Sequence, residues 1–263
     1  MIGALLFFAI LWFAAPGDRK RTEIMLATYI VAMPVLLFAE TVLVWTVTQI
    51  TWLRRVRYDL YAYKFDQWLG SPSFVLGRWV ARSRALSFAA AEIYATPLLV
   101  MLAVYTIYFY WAPREHQAVI RTFFISLFAQ LPIYLAIPVC GPRFAFPDFP
   151  REPGPITAHP IVFSGCPNGI PSIHATLAFL CAAFLWRWRA GKVFGTIYVA
   201  ATLITIMANG EHYALDLICA VPYTWLVWKL GHGWGPRRSA VVSSAVESDS
   251  SSAWREETAV SAS

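Results

Sequence analysis

An all-α fold, a polytopic transmembrane bundle of six to seven spans with a short interfacial amphipathic helix, is predicted by three observations. The chain has 263 residues, of which 58% are hydrophobic and only 14% charged, too little polar surface to solvate a water-soluble domain of this size. Apolar runs recur along it, each about 18 residues or more, the length that crosses a hydrocarbon core of roughly 30 Å as a helix. The Arg and Lys residues behind the net charge of +6 sit mostly beside those runs. That is the pattern of topology signals and anionic-lipid contacts, so the expected surroundings are a lipid bilayer and no nucleic acid.

The first run, Met1 to Ala15, ends at Pro16 and the cluster Asp18-Arg19-Lys20-Arg21. No charged segment precedes it and the basic residues follow it, so it reads as a short first span or signal anchor rather than a cleaved leader. A second run, Glu23 to Trp52, closes on Arg54-Arg55-Val56-Arg57. Residues 58–84 mix aromatics with charges and then carry Gly70-Ser71-Pro72 and Arg78, Arg82 and Arg84. Such a segment predicts an amphipathic helix lying in the interface. Further spans are expected from Ala85 to Trp111 and from Ala118 to Val139, joined by Pro113-Arg114-Glu115-His116.

The loop Gly141 to Pro171 is too rich in proline for regular helix and too polar for a span. Three apolar runs follow, Ser172 to Trp188, Val193 to Asn209 and His212 to Leu230; their short connections make neighbours antiparallel. Beyond Gly231 the chain is Gly, Pro, Arg and then Ser-rich, a composition with nothing to bury and expected to be disordered. The domain division expected is therefore N-terminal helices over 1–116, a catalytic core over 117–231 and a tail over 232–263.

The turn Arg187-Trp188-Arg189-Ala190-Gly191-Lys192 is short and basic, which marks a cytoplasmic loop. Counting spans from it puts Arg114 on the same side and the 141–171 loop outside. The basic residues of 54–84 also fall outside, against the trend, which a surface-lying segment accommodates. Cys181 and Cys219 fall inside apolar runs as packing residues. Cys140 and Cys166 flank the outer loop and could pair in an oxidising compartment.

Polar residues at membrane depth point to the chemistry, because an ionisable group there is costly and present for function or pairing. His212 and Asp216 are four apart at the start of the last span and share a helix face. A carboxylate behind an imidazole fixes its tautomer and supports it as base or nucleophile. Ser172 is a natural N-cap where the proline-rich loop becomes helix, with His174 in the first turn beside free amides that attract phosphate. The 38 residues between the two histidines equal one helix across, a turn and one helix back, which returns both to one membrane face. Arg143, at the mouth of the loop, is the candidate cationic clamp, with Ser172 as a second phosphate-binding residue.

Pro171-Ser172-Ile173-His174 followed by His212-Tyr213-Ala214-Leu215-Asp216 resembles the second and third signature motifs of the type-2 phosphatidic acid phosphatase superfamily, over about residues 130 to 230. The resemblance implies that His212 attacks phosphorus to give a phosphohistidine, Asp216 orients it and His174 protonates the leaving group, on a phospholipid or lipid-phosphate substrate without cofactor or metal. Phosphatases of that family carry a Lys and Arg-Pro first motif, absent here in that form. They also carry a Ser-Arg pair, where this chain has Thr205-Ile206. The reduced pattern is more similar to the inositol phosphorylceramide synthase and sphingomyelin synthase branch, which implies headgroup transfer. The alternative is a membrane transporter with the His/Asp cluster as a proton relay, which would spread ionisable residues through the membrane depth. Glu211 reads as solvated at the membrane face, Tyr213 as an interfacial anchor and His159 as a loop residue. His116 and His232 fall on the opposite face, and the histidine spacing fits no compact zinc set.

Overall fold

The computed structural model describes residues 19–54, 57–154 and 167–233. The Met1 to Ala15 run, His159, Cys166 with its expected pairing to Cys140, and the Ser-rich tail lie outside the described residues. Among those described, the chain is helical without strands. In order, the helices are α1 (Arg19–Arg54), α2 (Asp59–Trp68), α3 (Pro72–Ala81), α4 (Arg84–Tyr94), α5 (Pro97–Trp111), α6 (His116–Phe128), α7 (Leu131–Ala136), α8 (Pro142–Ala145), α9 (Ile173–Leu185), α10 (Arg189–Ala208) and α11 (Ala214–Gly233).

By length and hydropathy, two described helices suffice to cross a membrane, His116–Ala136 and Arg189–Ala208. A third span arises if α4 and α5, bent by 48° at their junction, act as one. The bend has a local cause. Pro97 opens α5, and proline lacks the amide that would continue α4 while its ring crowds the carbonyl one turn back.

α9 is the hub. It is apolar on nearly every face, with Ala175, Ala178, Leu180, Cys181 and Phe184 buried, and it packs against α10, α5 and α6. A helix apolar all round is stable only inside such a bundle. Tyr108 of α5 donates to the Phe184 carbonyl at 2.8 Å, and Tyr223 of α11 donates to the Ser126 carbonyl of α6 at 2.7 Å. Interhelical bonds of this kind contribute about 0.6 kcal/mol each in a bilayer. Cys181 is buried as expected, whereas Cys219 is half-buried.

The expected single amphipathic helix over 58–84 is two helices. They part at Leu69–Ser71, where Gly70 and Ser71 take φ of 86° and 55° and Pro72 restarts the chain as α3. Asp59, Ala62, Tyr63 and Asp66 are all buried. Their spacing places them on one stripe of α2, and that stripe faces the bundle. α2 packs on α3 and α8, and α3 packs on α4 and α10.

Arg187 meets Glu115 at 3.1 Å, so the Arg187 turn and the 113–116 link lie together at the end of α9 away from His174. His116 against Tyr105 and Phe109, and His232 against Trp228 and Phe184, belong to that same end.

Candidate functional site

The site forms where α10 stops and α11 begins. α10 closes with Asn209 as its last half-helical residue and Gly210 at φ 70°. The Gly210 amide donates to the Met207 carbonyl and the Glu211 amide to the Ile206 carbonyl, the paired bonds that end a helix on a left-handed glycine. This reversal carries His212 back over the end of α9.

Asp216 then performs two tasks. Its Oδ2 accepts from the Tyr213 amide at 2.9 Å and from His212 Nδ1 at 3.2 Å. The first bond caps the new helix from its third residue. The second fixes Nδ1 as the engaged nitrogen of His212 and leaves Nε2 as the free one. Asp216 is fully buried, while its Oδ1 has no hydrogen-bond partner among the described residues.

Ser172 is the N-cap of α9, its hydroxyl accepting from the Ala175 amide at 3.3 Å. Its own amide donates to the Asp216 carbonyl, which joins the starts of α9 and α11. Ser172 is fully buried and committed to this capping bond. His174 follows in the first turn. Its ring lies 6.0 Å from that of His212 and stacks on Tyr94 at 4.2 Å, and its buried Nδ1 has no hydrogen-bond partner among the described residues. Both histidines line a cavity of about 130 Å³, together with Tyr94, Phe144, Asn168, Ile173 and Glu211.

Arg143 comes to the same place through the backbone. Its amide donates to the Gly210 carbonyl at 2.9 Å, and its guanidinium pairs with Glu211 at 2.8 Å while remaining about half exposed. Glu211 is thus the partner of Arg143 and part of the cavity wall, rather than simply solvated. The two loops fit because two residues are glycine. A Cβ on Gly141 would meet the Glu211 carbonyl, and one on Gly210 would meet Phe149 and the Arg143 side chain.

α2 and α3 hold these loops from beneath. Asp59 accepts from the Cys140 and Gly141 amides, both at 3.0 Å, and from the Tyr213 hydroxyl at 3.3 Å. Asp66 accepts from the Ala214 amide at 2.9 Å and from the Ser73 amide, and the Ser73 hydroxyl donates to the His212 carbonyl at 3.1 Å. Tyr213 is accordingly an internal residue, fully buried. Burial pushes the Asp59 carboxyl up to about 7, against the pull of the two amides. Burial raises Asp66 as well, against its donors.

Asp59 is passed over in the sequence because the segment reads as an interfacial helix, and Asp66 reads as lying in or near a span, with packing and headgroup contact not told apart. The signal was their seven-residue spacing on the stripe of Ala62 and Tyr63. Tyr94 is left open in the same way, between packing and headgroup contact, and Asn168 carries no local signal. Thr205 and Ile206 are buried within α10, with the Thr205 hydroxyl donating to the Thr202 carbonyl, so no cation enters from there. Among the described residues no group of three or more His, Cys, Asp or Glu side chains is arranged to hold a metal ion.

The arrangement offers an imidazole supported by a carboxylate, a second imidazole whose ring lies 6.0 Å away, and a guanidinium paired with Glu211 at the rim. A model of the PAP2 superfamily matches residues 60–230, a span that runs from the second residue of α2 through nearly all of α11. No curated protein and no solved structure matches the chain.

Proposed function

Since the chain belongs to the PAP2 superfamily, we propose that it is a membrane-embedded lipid phosphotransferase or phosphatase, acting on a phospholipid headgroup or lipid phosphate through a phosphohistidine intermediate. The observation that carries this reading is the His212–Asp216 bond at 3.2 Å with the His174 ring 6.0 Å away in one cavity. His212 Nε2 attacks phosphorus, the bond to the leaving oxygen breaks, and His174 gives that oxygen a proton. The acceptor oxygen then attacks phosphorus, the N–P bond breaks, and the acceptor's proton passes to His174.

The guanidinium of Arg143 has five donors. One nitrogen holds Glu211, and the remaining donors are free to take equatorial phosphate oxygens as the clamp. Ser172 supports the phosphate indirectly, by capping the helix end that faces it. The catalytic core over 117–231 works with the 58–84 segment as its support. With the six to seven spans read from the sequence, the cavity faces the extracytoplasmic or lumenal side, and the basic 187–192 turn the cytoplasm. Absence of the phosphatase arginines favours headgroup transfer, of the inositolphosphotransferase type.

The test uses purified protein in mixed lipid vesicles with phosphate-labelled phosphatidic acid and phosphatidylinositol, without added metal, following free phosphate and new labelled lipids together. A new labelled lipid with little free phosphate identifies a transferase, and free phosphate alone a hydrolase. Neither product would overturn both and return the proton-relay transporter to the front.

A further inference from the structure

We propose that Tyr94 is a positioning residue for His174, its ring face holding the imidazole in place and stabilising the protonated form that gives up the leaving-group proton; this rests on the function proposed above. The two histidines of the site are supported differently. His212 has a carboxylate, Asp216, at 3.2 Å. Among the described residues no carboxylate pairs with His174 in that way, and its buried Nδ1 has no hydrogen-bond partner. What His174 has instead is Tyr94, whose ring lies 4.2 Å away and within 23° of parallel.

Three features make the stack a built element rather than a chance contact. First, Tyr94 is the last residue of α4, at the point where the chain bends by 48° into α5. Second, that break is fastened to α10. Asn209 Nδ2 donates to the Ala90 carbonyl at 3.5 Å, and the Thr96 and Tyr198 hydroxyls meet at 3.3 Å. Third, Tyr94 packs against the buried cluster of Ala175, Ile206, Leu217 and Ala220, contributed by α9, α10 and α11. The ring is thus held by three helices besides its own. Tyr94 and His174 also line the cavity that holds His212, so the stack forms part of its wall.

A buried imidazole gives up its proton unless something nearby favours the charge. The face of an aromatic ring carries the negative part of its quadrupole and attracts a cation centred within about 6 Å, so Tyr94 does for His174 part of what Asp216 does for His212. A ring face takes no proton, which leaves the imidazole N–H for the leaving oxygen. In each turnover His174 gives its proton to that oxygen as the P–O bond breaks and regains one from the acceptor, and the stack stabilises the charged imidazole at both ends. The other charged or titratable groups around His174 come from three elements. They are His212 with its ring 6.0 Å away, Glu211 paired with Arg143 at 2.8 Å, and Glu40 of α1, which lines a neighbouring cavity of about 240 Å³ with Tyr94 and His174.

The experiment reads His174 directly, by nuclear magnetic resonance of the full chain with isotope-labelled histidine rings in detergent micelles, the His174 signal being identified by its loss in His174→Gln. Tyr94→Leu is expected to lower the pH of half-titration of that ring by about one unit, and Tyr94→Phe, which keeps the ring face, to restore it. Should Tyr94→Leu fail to fold, Tyr94→4-cyanophenylalanine keeps the ring and weakens its negative face, and the same downward shift is expected. The second readout is turnover on whichever lipid phosphate reacts in the vesicle assay and on the 4-nitrophenyl ester of the same phosphate, whose leaving group departs without a proton. Tyr94→Leu should lower turnover about tenfold on the lipid and about twofold or less on the nitrophenyl ester. Equal losses on both substrates, an unmoved titration, a Tyr94→Phe protein that behaves as Tyr94→Leu does, or a shift in Glu40→Gln with none in Tyr94→Leu would each overturn the assignment. The expected titration in a protein that transfers no phosphate would retain Tyr94 as the partner of His174 and overturn the proposed reaction instead.

Discussion

The amide of Ala214 donates to Asp66 Oδ1 at 2.9 Å, across 148 residues of chain. This bond ties α2 to the first turn of α11, one residue beyond Tyr213 and two beyond His212. Replacing the carboxylate with Asn turns an amide N–H toward a donor, and Ala leaves several buried donors unmet. Asp66→Ala is expected to lower stability by about 2–4 kcal/mol, from unsatisfied buried groups at about 1–3 kcal/mol each. Denaturant titration in detergent measures this, and an unchanged midpoint would remove Asp66 from the support of the site.

Asp59 makes stability depend on pH. Its folded carboxyl lies near 7 against an ordinary value of 3.8, so the folded state binds the proton more tightly than the unfolded state. Stability from this group is fully present below about pH 4 and falls as pH rises through 7. Melting temperatures measured from pH 5 to 8 should fall across that window in the natural protein, and the slope should flatten in Asp59→Asn.

Gly141 and Gly70 both have positive φ, 104° and 86°, but their surroundings differ. A Cβ on Gly70 would meet nothing within 4 Å among the described residues, whereas one on Gly141 would meet the Glu211 backbone. Gly70→Ala should cost only the conformational strain, about 1–2 kcal/mol. Gly141→Ala should cost more and also lower activity, because it pushes apart the loops that carry Arg143 and His212. Equal melting points for the two variants would contradict this.

His212→Ala should abolish turnover, and Asp216→Asn should reduce kcat by about 10²–10⁴-fold, the range for a lost acid–base or orienting group. Both proteins should still fold, and chelators should leave the natural enzyme unaffected. Full activity in His212→Ala would sink the mechanism.

Arg143→Ala should raise KM for the lipid phosphate by about tenfold or more, consistent with a lost charge-assisted contact of about 1.5–3 kcal/mol. Stability should change by less than about 1 kcal/mol, since the Arg143–Glu211 pair is half exposed. An unchanged KM would move the clamp to another residue.

Local and near-neighbour features were legible from the chain alone. Ser172 at the start of α9 and the return that brings His174 beside His212 follow from the N-cap residue and the helix lengths, whereas His212 lies before α11 rather than on it and meets Asp216 through the turn that caps that helix. The positions of the apolar runs were legible too, although Pro97 breaks one of them into two bent helices. What the tertiary structure decided is everything that joins distant segments: Asp59 and Asp66 beneath the loops, Glu211 on Arg143, and Tyr94 on His174. The physical reason is that periodicity says which face a side chain shares, but only packing says what that face meets. The inward face of α2 was hidden because buried aspartates look like solvated ones until the amides they satisfy, more than seventy residues away, are brought beside them.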